Sequence, residues 1–433
     1  MVAPFRLDSL REPALPAPSA PEHGKHSTKA HRRRRRGRRR LLLVFLLLLV
    51  AAGAYVGVKL SRPEPAPAVT AADLPPVHVP ARSVALPWPT VGQGAVAVPS
   101  IGVDVASGPE KAAPVASLTK LMTAYVVLHD HPLVLGQPGP TITVSQADVD
   151  DYDSATVNDD SNAAVSLNEQ ISEADVLGGL LVHSADNYAD LLATWDAGSI
   201  PAFVAKMNAA ASRLGMAHSH FADASGVNPA SESTASDLLK VAALDMANPT
   251  FAAFVKQSSV TLPVAGTIST YTPLLGVQGV IGVKSGFTSQ AGGGDVLAVF
   301  RTVHGKQVLL LSAVTGQTGP VVLAQAGLHA LALVDAMSPF IGSTQVQQGN
   351  QVVAHVGEAG TSIAARTVAS ASVLTWPGVR ATRVFVPARH VDKQATRGTR
   401  VGTVVVSLGN QRVAVPVQLE RDIPPESLLQ RLS

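Results

Sequence analysis

The 433-residue chain is too long for one ordinary domain, and a composition that is 46% apolar and 15% charged excludes a generally disordered protein. From Met1 to Arg62 there are 14 Lys and Arg against 3 Asp and Glu, which leaves 20 against 28, a net charge of −8, for everything after. The folded part is therefore acidic, which argues against nucleic acid as a partner, and the absence of cysteine excludes disulfides, thiolate metal sites and a cysteine nucleophile.

Residues 1–40 read as a disordered basic tail ending in the run Arg32 to Arg40. It leads directly into Leu41 to Val58, an uncharged, mostly aliphatic stretch long enough to cross a bilayer at ~1.5 Å per residue. The charge on its N-terminal side predicts a cytoplasmic tail and an extracellular remainder, in a single pass through the cell membrane. A cleaved signal peptide is the competing reading, since Ala52-Gly53-Ala54 has the small-residue pattern of a cleavage site. Residues 59–90 carry Pro75-Pro76, Pro80, Pro87 and Pro89 and read as a semi-rigid extended spacer.

From 91 to 340 the pattern is that of an α+β catalytic domain. Gln93 to Val105 and Asp295 to Val314 read as strands, with helices between them at Ala116 to Leu128, Ala174 to Val182, Asn187 to Trp195, Pro201 to Leu214 and Thr234 to Met246. Pro201 suits a first helical turn, and Thr234 with Asp237 fits a capping box. The aspartates from Asp148 to Asp160 read as a solvated acidic loop, because no window has the order of a calcium-binding loop. Residues 341–433 read as a small all-β domain, with a hairpin of Val401 to Leu408 and Val413 to Leu419 about a Gly409-Asn410 turn.

The chemistry centres on Ser117-Leu118-Thr119-Lys120, just after Pro114. A spacing of three puts hydroxyl and amine on one helical face, where Lys120 takes the Ser117 proton as the oxygen attacks a carbonyl. That spacing alone is common. Its weight comes from its ordered companions: Ser184-Ala185-Asp186-Asn187 downstream and, late in the domain, Lys284-Ser285-Gly286-Phe287-Thr288 in a β-branched run. Lys284 is suited to a substrate's terminal carboxylate, with the Ser285 and Thr288 hydroxyls beside it.

With these motifs, and with Met207-Asn208-Ala209, Phe221 to Gly226 and Gly282 to Gly294, the chain from about Val91 to Leu333 resembles the low-molecular-mass D-alanyl-D-alanine carboxypeptidases, particularly the actinobacterial, membrane-anchored type. The resemblance implies a penicillin-binding/β-lactamase-like transpeptidase fold, an antiparallel sheet with a helical subdomain. It also implies an acyl-enzyme on Ser117, an oxyanion hole from the amides of Ser117 and Phe287, and release of the terminal D-alanine from a peptidoglycan stem peptide, with β-lactams as covalent inhibitors. Neither metal nor cofactor is expected. Ser184 is the expected proton relay to the leaving amine. One position departs from the pattern: Asp186 stands where the family usually has Asn, and an ionised carboxylate cannot donate to the substrate's amide carbonyl. Either Asn187 takes that role, or Asp186 is tolerated with altered rate or specificity, or the protein binds wall peptide with little turnover. A β-lactamase is the enzymatic alternative, but neither Glu169 nor Glu173 sits in a convincing deacylation loop.

Overall fold

The computed structural model describes residues 28–61, 66–357 and 362–425, and it divides into two units. Residues 1–27, the larger part of the expected tail, lie outside the described residues. In the first unit a single helix runs over Thr28–Ser61, so the stretch 28–40 is helical rather than disordered. Its segment Gly37–Ser61 contains an 18-residue window with a mean hydropathy of 2.8 and is long enough to cross a membrane. The leucines and valines of 41–50 are all exposed on it, as befits a helix whose apolar surface meets no protein core.

The second unit, Pro67–Ile423, is built on a five-stranded antiparallel sheet in the spatial order Val280–Thr288, Gly292–Val303, Lys306–Gln317, Gln93–Val98, Val103–Ala106. Each of the two long strands expected from the sequence is a hairpin: the first turns at residues 99–102 and the second at His304-Gly305, both residues with positive φ. Continuous apolar runs hid these turns because both faces of the sheet are buried. Ala95, Ala97, Val296 and Ala313 face one core, shared with the helices between 120 and 254, whereas Val96, Val98, Leu297 and Val314 face another, shared with the helix Val322–Met337 and the C-terminal strands.

The expected acidic loop is mostly a helix, Gln146–Val157. Its start is fixed by a capping box in which Ser145 accepts from the Asp148 amide while the Asp148 carboxylate accepts from the Ser145 amide at 2.7 Å. At the C-terminal end a seven-stranded sheet contains the expected hairpin, Arg400–Leu408 with Gln411–Leu419, whose Val415, Val417 and Leu419 point inward. Its two edges are supplied by the expected spacer. Ala68–Ala71 pairs with Val352–Gly357, and Val77–His78 with Arg380–Pro387. The segment from Pro67 onward is therefore part of the folded unit and not a free spacer, since its prolines fall outside these short strands, where a missing N–H costs no ladder bond.

Candidate active site

Pro114 and Val115 lead into a 3₁₀ turn, Ala116–Thr119, which passes directly into the helix Lys120–Asp130. Ala116 has φ +49°, a conformation that costs a non-glycine residue about 1 kcal/mol or more and turns the chain sharply before Ser117. The result puts Ser117 half-buried at the surface of the cleft and Lys120 wholly inside, with Lys120 Nζ 3.0 Å from Ser117 Oγ.

Two further acceptors hold the same ammonium. Lys120 Nζ donates to Asp186 Oδ1 at 2.5 Å and to the carbonyl of Ser225 at 2.9 Å. The Ser225 carbonyl is aimed by a loop whose motif the sequence shows without revealing its task. The Asp223 carboxylate accepts from Ser225 Oγ, from Ser231 Oγ and from the amides of Gly226 and Asn228. Asn208 pins the loop's start by bonding both backbone groups of Phe221, and Thr123 of the helix Lys120–Asp130 donates to the Ala224 carbonyl at 2.6 Å. Gly226 is obligatory here: its φ is +88°, and a β-carbon would lie 1.9 Å from the Ala116 carbonyl oxygen.

Ser184 also sits at positive φ, +63°, just ahead of the helix Asp186–Ala197. That backbone turn presents Ser184 Oγ to Lys284 Nζ at 2.8 Å. Lys284 also donates to the Ser285 carbonyl at 2.7 Å, and burial, followed by the charge of Lys120, pushes its pKa down to about 7. Asp186 occupies the first position of its helix, where the dipole favours a carboxylate, and its amide donates to the Ser161 carbonyl at 2.7 Å. Asn187 does not take over the substrate-facing role: its amide oxygen accepts from Ala163 N–H at 3.0 Å and its nitrogen donates to the Ala163 carbonyl at 2.9 Å, so both ends are spent on backbone.

The strand Val280–Thr288 runs along the turn Ala116–Thr119 so closely that a β-carbon on Gly286 would lie 2.8 Å from the Ser117 amide nitrogen and 3.1 Å from that of Leu118. Ser285 Oγ donates to the Tyr271 carbonyl at 3.0 Å, which engages its proton within the protein. Thr288 Oγ1 accepts from the Ala291 amide at 3.1 Å, a bond that leaves its own proton to donate elsewhere. Phe287, 53% exposed, lies at the rim. His183 acts in the scaffold: Nδ1 donates to the Ser269 carbonyl at 2.7 Å and its ring lies 4.7 Å from that of Tyr271. Among the described residues neither Glu169 nor Glu173 hydrogen-bonds to Ser117, Lys120 or Ser184; Glu169 accepts from the Ser166 amide and Glu173 is buried beside Gly139.

This constellation lies within residues 103–318, which match the family model described as D-alanyl-D-alanine carboxypeptidase. Those residues are similar to that family. A curated relative, the D-alanyl-D-alanine carboxypeptidase of Streptomyces sp. (strain K15), is 33% identical over 192 residues, 40% of this chain and 64% of the relative. The D-alanyl-D-alanine endopeptidase of Escherichia coli (strain K12) is 31% identical over 214 residues, 47% of this chain and again 64% of the relative. The chain thus spans just under two thirds of the length of each of these two relatives. Among solved structures, the Streptomyces K15 DD-transpeptidase superposes with a TM-score of 0.52 at 26% identity, over 58% of this chain and 98% of that one. Penicillin-binding protein 5 from Haemophilus influenzae superposes with a TM-score of 0.57 over 78% of this chain and 99% of that one, a likeness of fold at 21% identity. The fold of this chain is accordingly the α+β penicillin-binding/β-lactamase-like one, followed by an all-β region and preceded by one apolar helix.

Proposed function

We propose that the chain is a serine-type D-alanyl-D-alanine carboxypeptidase that removes the terminal D-alanine of peptidoglycan stem peptides through an acyl-enzyme on Ser117. The observation that carries this reading is the 3.0 Å contact between Ser117 Oγ and a fully buried Lys120, with a second lysine, Lys284, bonded to Ser184 in the same cleft. Lys284, with Thr288 beside it, takes the substrate's terminal carboxylate. Ser117 Oγ attacks the carbonyl of the penultimate residue as its proton passes to Lys120 Nζ. The amides of Ser117 and Phe287 hold the oxyanion, an interaction whose loss typically costs ~2.7 to 4 kcal/mol. The C–N bond then breaks as Ser184 relays the proton gained by Lys120 to the leaving D-alanine nitrogen, Lys284 staying charged on the carboxylate, and water then adds its hydroxyl to the acyl carbon and returns its proton to Ser117 Oγ. β-Lactams enter by the same acylation and stay.

In this reading Gly37–Ser61 anchors the protein in the cell membrane, the basic N-terminal tail lies in the cytoplasm and the unit from Pro67 works outside on the wall. The catalytic domain comprises residues 91–340, and 341–433 form an accessory β-domain. The decisive assay is D-alanine release from a pentapeptide ending in D-Ala-D-Ala by the full-length, detergent-solubilised chain, with Ser117→Ala as control. Release by the native chain alone supports the proposal; sustained nitrocefin turnover without D-alanine release would assign the chain to the β-lactamases instead.

A further inference from the structure

The seven-stranded sheet gathers exposed arginines at one end, and the chain enters the sheet at that same end. Ala68 pairs with Gly357, Val356 with Ile363, and Ala365 with Leu419, while Gln418 pairs with Arg400. Pro387 pairs with Gly402 next to them, so the segment from Ala388 to Arg400 caps this end. Residues 419–423 are stitched along it: Gly398 donates to the Leu419 carbonyl, Ile423 to that of Ala395, and the Arg397 amide to the Asp422 carboxylate at 2.7 Å. The opposite end is the Gly409-Asn410 turn, where the Asn410 amide donates to the Ser100 carbonyl at 3.2 Å. Eight strand steps at ~3.4 Å set Arg400 roughly 27 Å from that turn.

Arg389, Arg397 and Arg421 are exposed at the entry end and form no ion pair among the described residues. Arg400 beside them spends its donors on the neutral Gly402 carbonyl and Thr403 hydroxyl. Of the nearby carboxylates, Glu420 is matched by Arg366 at 3.0 Å, and Asp392 and Asp422 each accept from a backbone amide. Val384, Val386 and Pro387 are exposed on the strand that leads into Arg389, which adds apolar area to the cationic end. The charge is also divided along the chain: residues 341–433 carry 10 Lys and Arg against 5 Asp and Glu, a net +5, whereas 63–340 carry 10 against 23, a net −13. Only residues 62–67 separate Ser61, where the apolar helix ends, from Ala68, where the first strand begins. Fully extended, that stretch reaches at most about 25 Å, so a helix set in a membrane keeps the entry end within that distance of the lipid headgroups.

We propose that the entry end of the β-domain is a second membrane contact, in which Arg389, Arg397 and Arg421 dock on the phosphates of anionic lipids in the membrane that Gly37–Ser61 spans. The proposal rests on the anchor reading of that helix and adds an orientation to it. Guanidinium groups pair well with phosphate, and the short tether holds them at high effective concentration over the headgroups. The acidic region 63–340 is repelled by the same surface and is turned away from it.

The test is hydrogen–deuterium exchange of the full-length chain in lipid nanodiscs, made of phosphatidylcholine alone or with about one third phosphatidylglycerol. Each arginine near an anionic surface favours the docked state about fivefold. Amides of 388–400 and 420–423 are therefore expected to exchange at least about fivefold more slowly on the anionic discs, while those of 206–215 do not change. The protection should vanish near 1 M salt, where the Debye length is about 3 Å. It should also vanish in the triple variant Arg389→Gln, Arg397→Gln, Arg421→Gln and survive in the corresponding triple lysine variant, which keeps the charges. Exchange that is indifferent to lipid charge, or protection that persists in the glutamine variant, overturns the proposal while the chain's retention in the discs leaves the anchor standing. Protection by a soluble polyanion on neutral discs, with none from anionic lipid, overturns it in favour of an anionic wall polymer. Loss of the chain from both kinds of disc on gel filtration overturns the anchor reading and the proposal together.

Discussion

Each side chain in the cleft is held by a partner that the reaction itself does not consume, which makes individual substitutions informative. Gly286 is the sharpest case: Gly286→Ala places a methyl 2.8 Å from the Ser117 amide nitrogen, so strand and nucleophile turn must separate. The expected outcome is a loss of penicillin acylation of at least about a hundredfold together with a lowered melting temperature, because the clashing atoms are backbone and the two elements must part. Lys284 supplies a pH test. Its pKa near 7 means that the free enzyme carries the charge needed for a substrate carboxylate below that pH and loses it above. KM for a peptide ending in a free carboxylate is therefore expected to rise about tenfold for each pH unit beyond 7, while an amidated peptide should show no such rise. A KM that stays flat from pH 6.5 to 8.5 would remove Lys284 from carboxylate binding.

At the scale of elements, the sheet of the C-terminal domain is closed by chain that precedes the catalytic domain. Ala68–Ala71 and Val77–His78 form its two edges, and Leu86 and Trp88 continue into the same core. Val69→Pro removes an edge N–H and forces the local backbone, so limited proteolysis is expected to cut between 62 and 80 several times faster than in the native chain. Unchanged cleavage would mean that the edge pairing contributes little. This weave was not legible in the sequence, because a proline-rich run reads as an extended spacer whether or not it finds a sheet edge to dock on. The helix Gln146–Val157 escaped for a related reason: four aspartates obscure any apolar face, and only the Ser145 and Asp148 spacing marks its start. What was legible were positions where local chemistry decides structure. The helix behind Ser117, the Thr234 cap that accepts from the Asp237 amide at 3.2 Å, Pro201 in a first turn and the Gly409-Asn410 hairpin all depend on neighbours in sequence. In the site, Ser117 lies 3.0 Å from Lys120, as their spacing suggested, whereas the 2.8 Å contact of Ser184 with Lys284 joins two motifs to which sequence reading assigns separate tasks. The Ser225 carbonyl was hidden, since a backbone group leaves no signature of its own, although Phe221 to Gly226 was visible as a motif.

For the whole molecule, the buried carboxylates set the pH dependence of stability. Burial raises Asp295 to about 7, leaves both of its oxygens without a partner, and likewise raises Asp190 and Glu173 to about 7 and Asp245 well above the usual range. A carboxyl whose folded pKa lies above its unfolded value stabilises the fold fully below about pH 4 and loses that contribution as pH climbs through about 7. The melting temperature is thus expected to fall by several degrees between pH 5 and pH 8. Asp295→Asn should recover part of that fall at pH 8 and change little at pH 5; equal melting temperatures for the two proteins at pH 8 would show that Asp295 finds a partner or water. Under the proposed function, the apolar helix Gly37–Ser61 would keep a unit that acts on wall peptides at the membrane. All of this depends on Ser117 becoming acylated. The most direct measurement is to react the full-length chain with penicillin, digest it and map the added mass by peptide sequencing in a mass spectrometer. The expected result is a single penicilloyl adduct on Ser117, absent from Ser117→Ala; an adduct on any other residue, or none, would contradict the assignment.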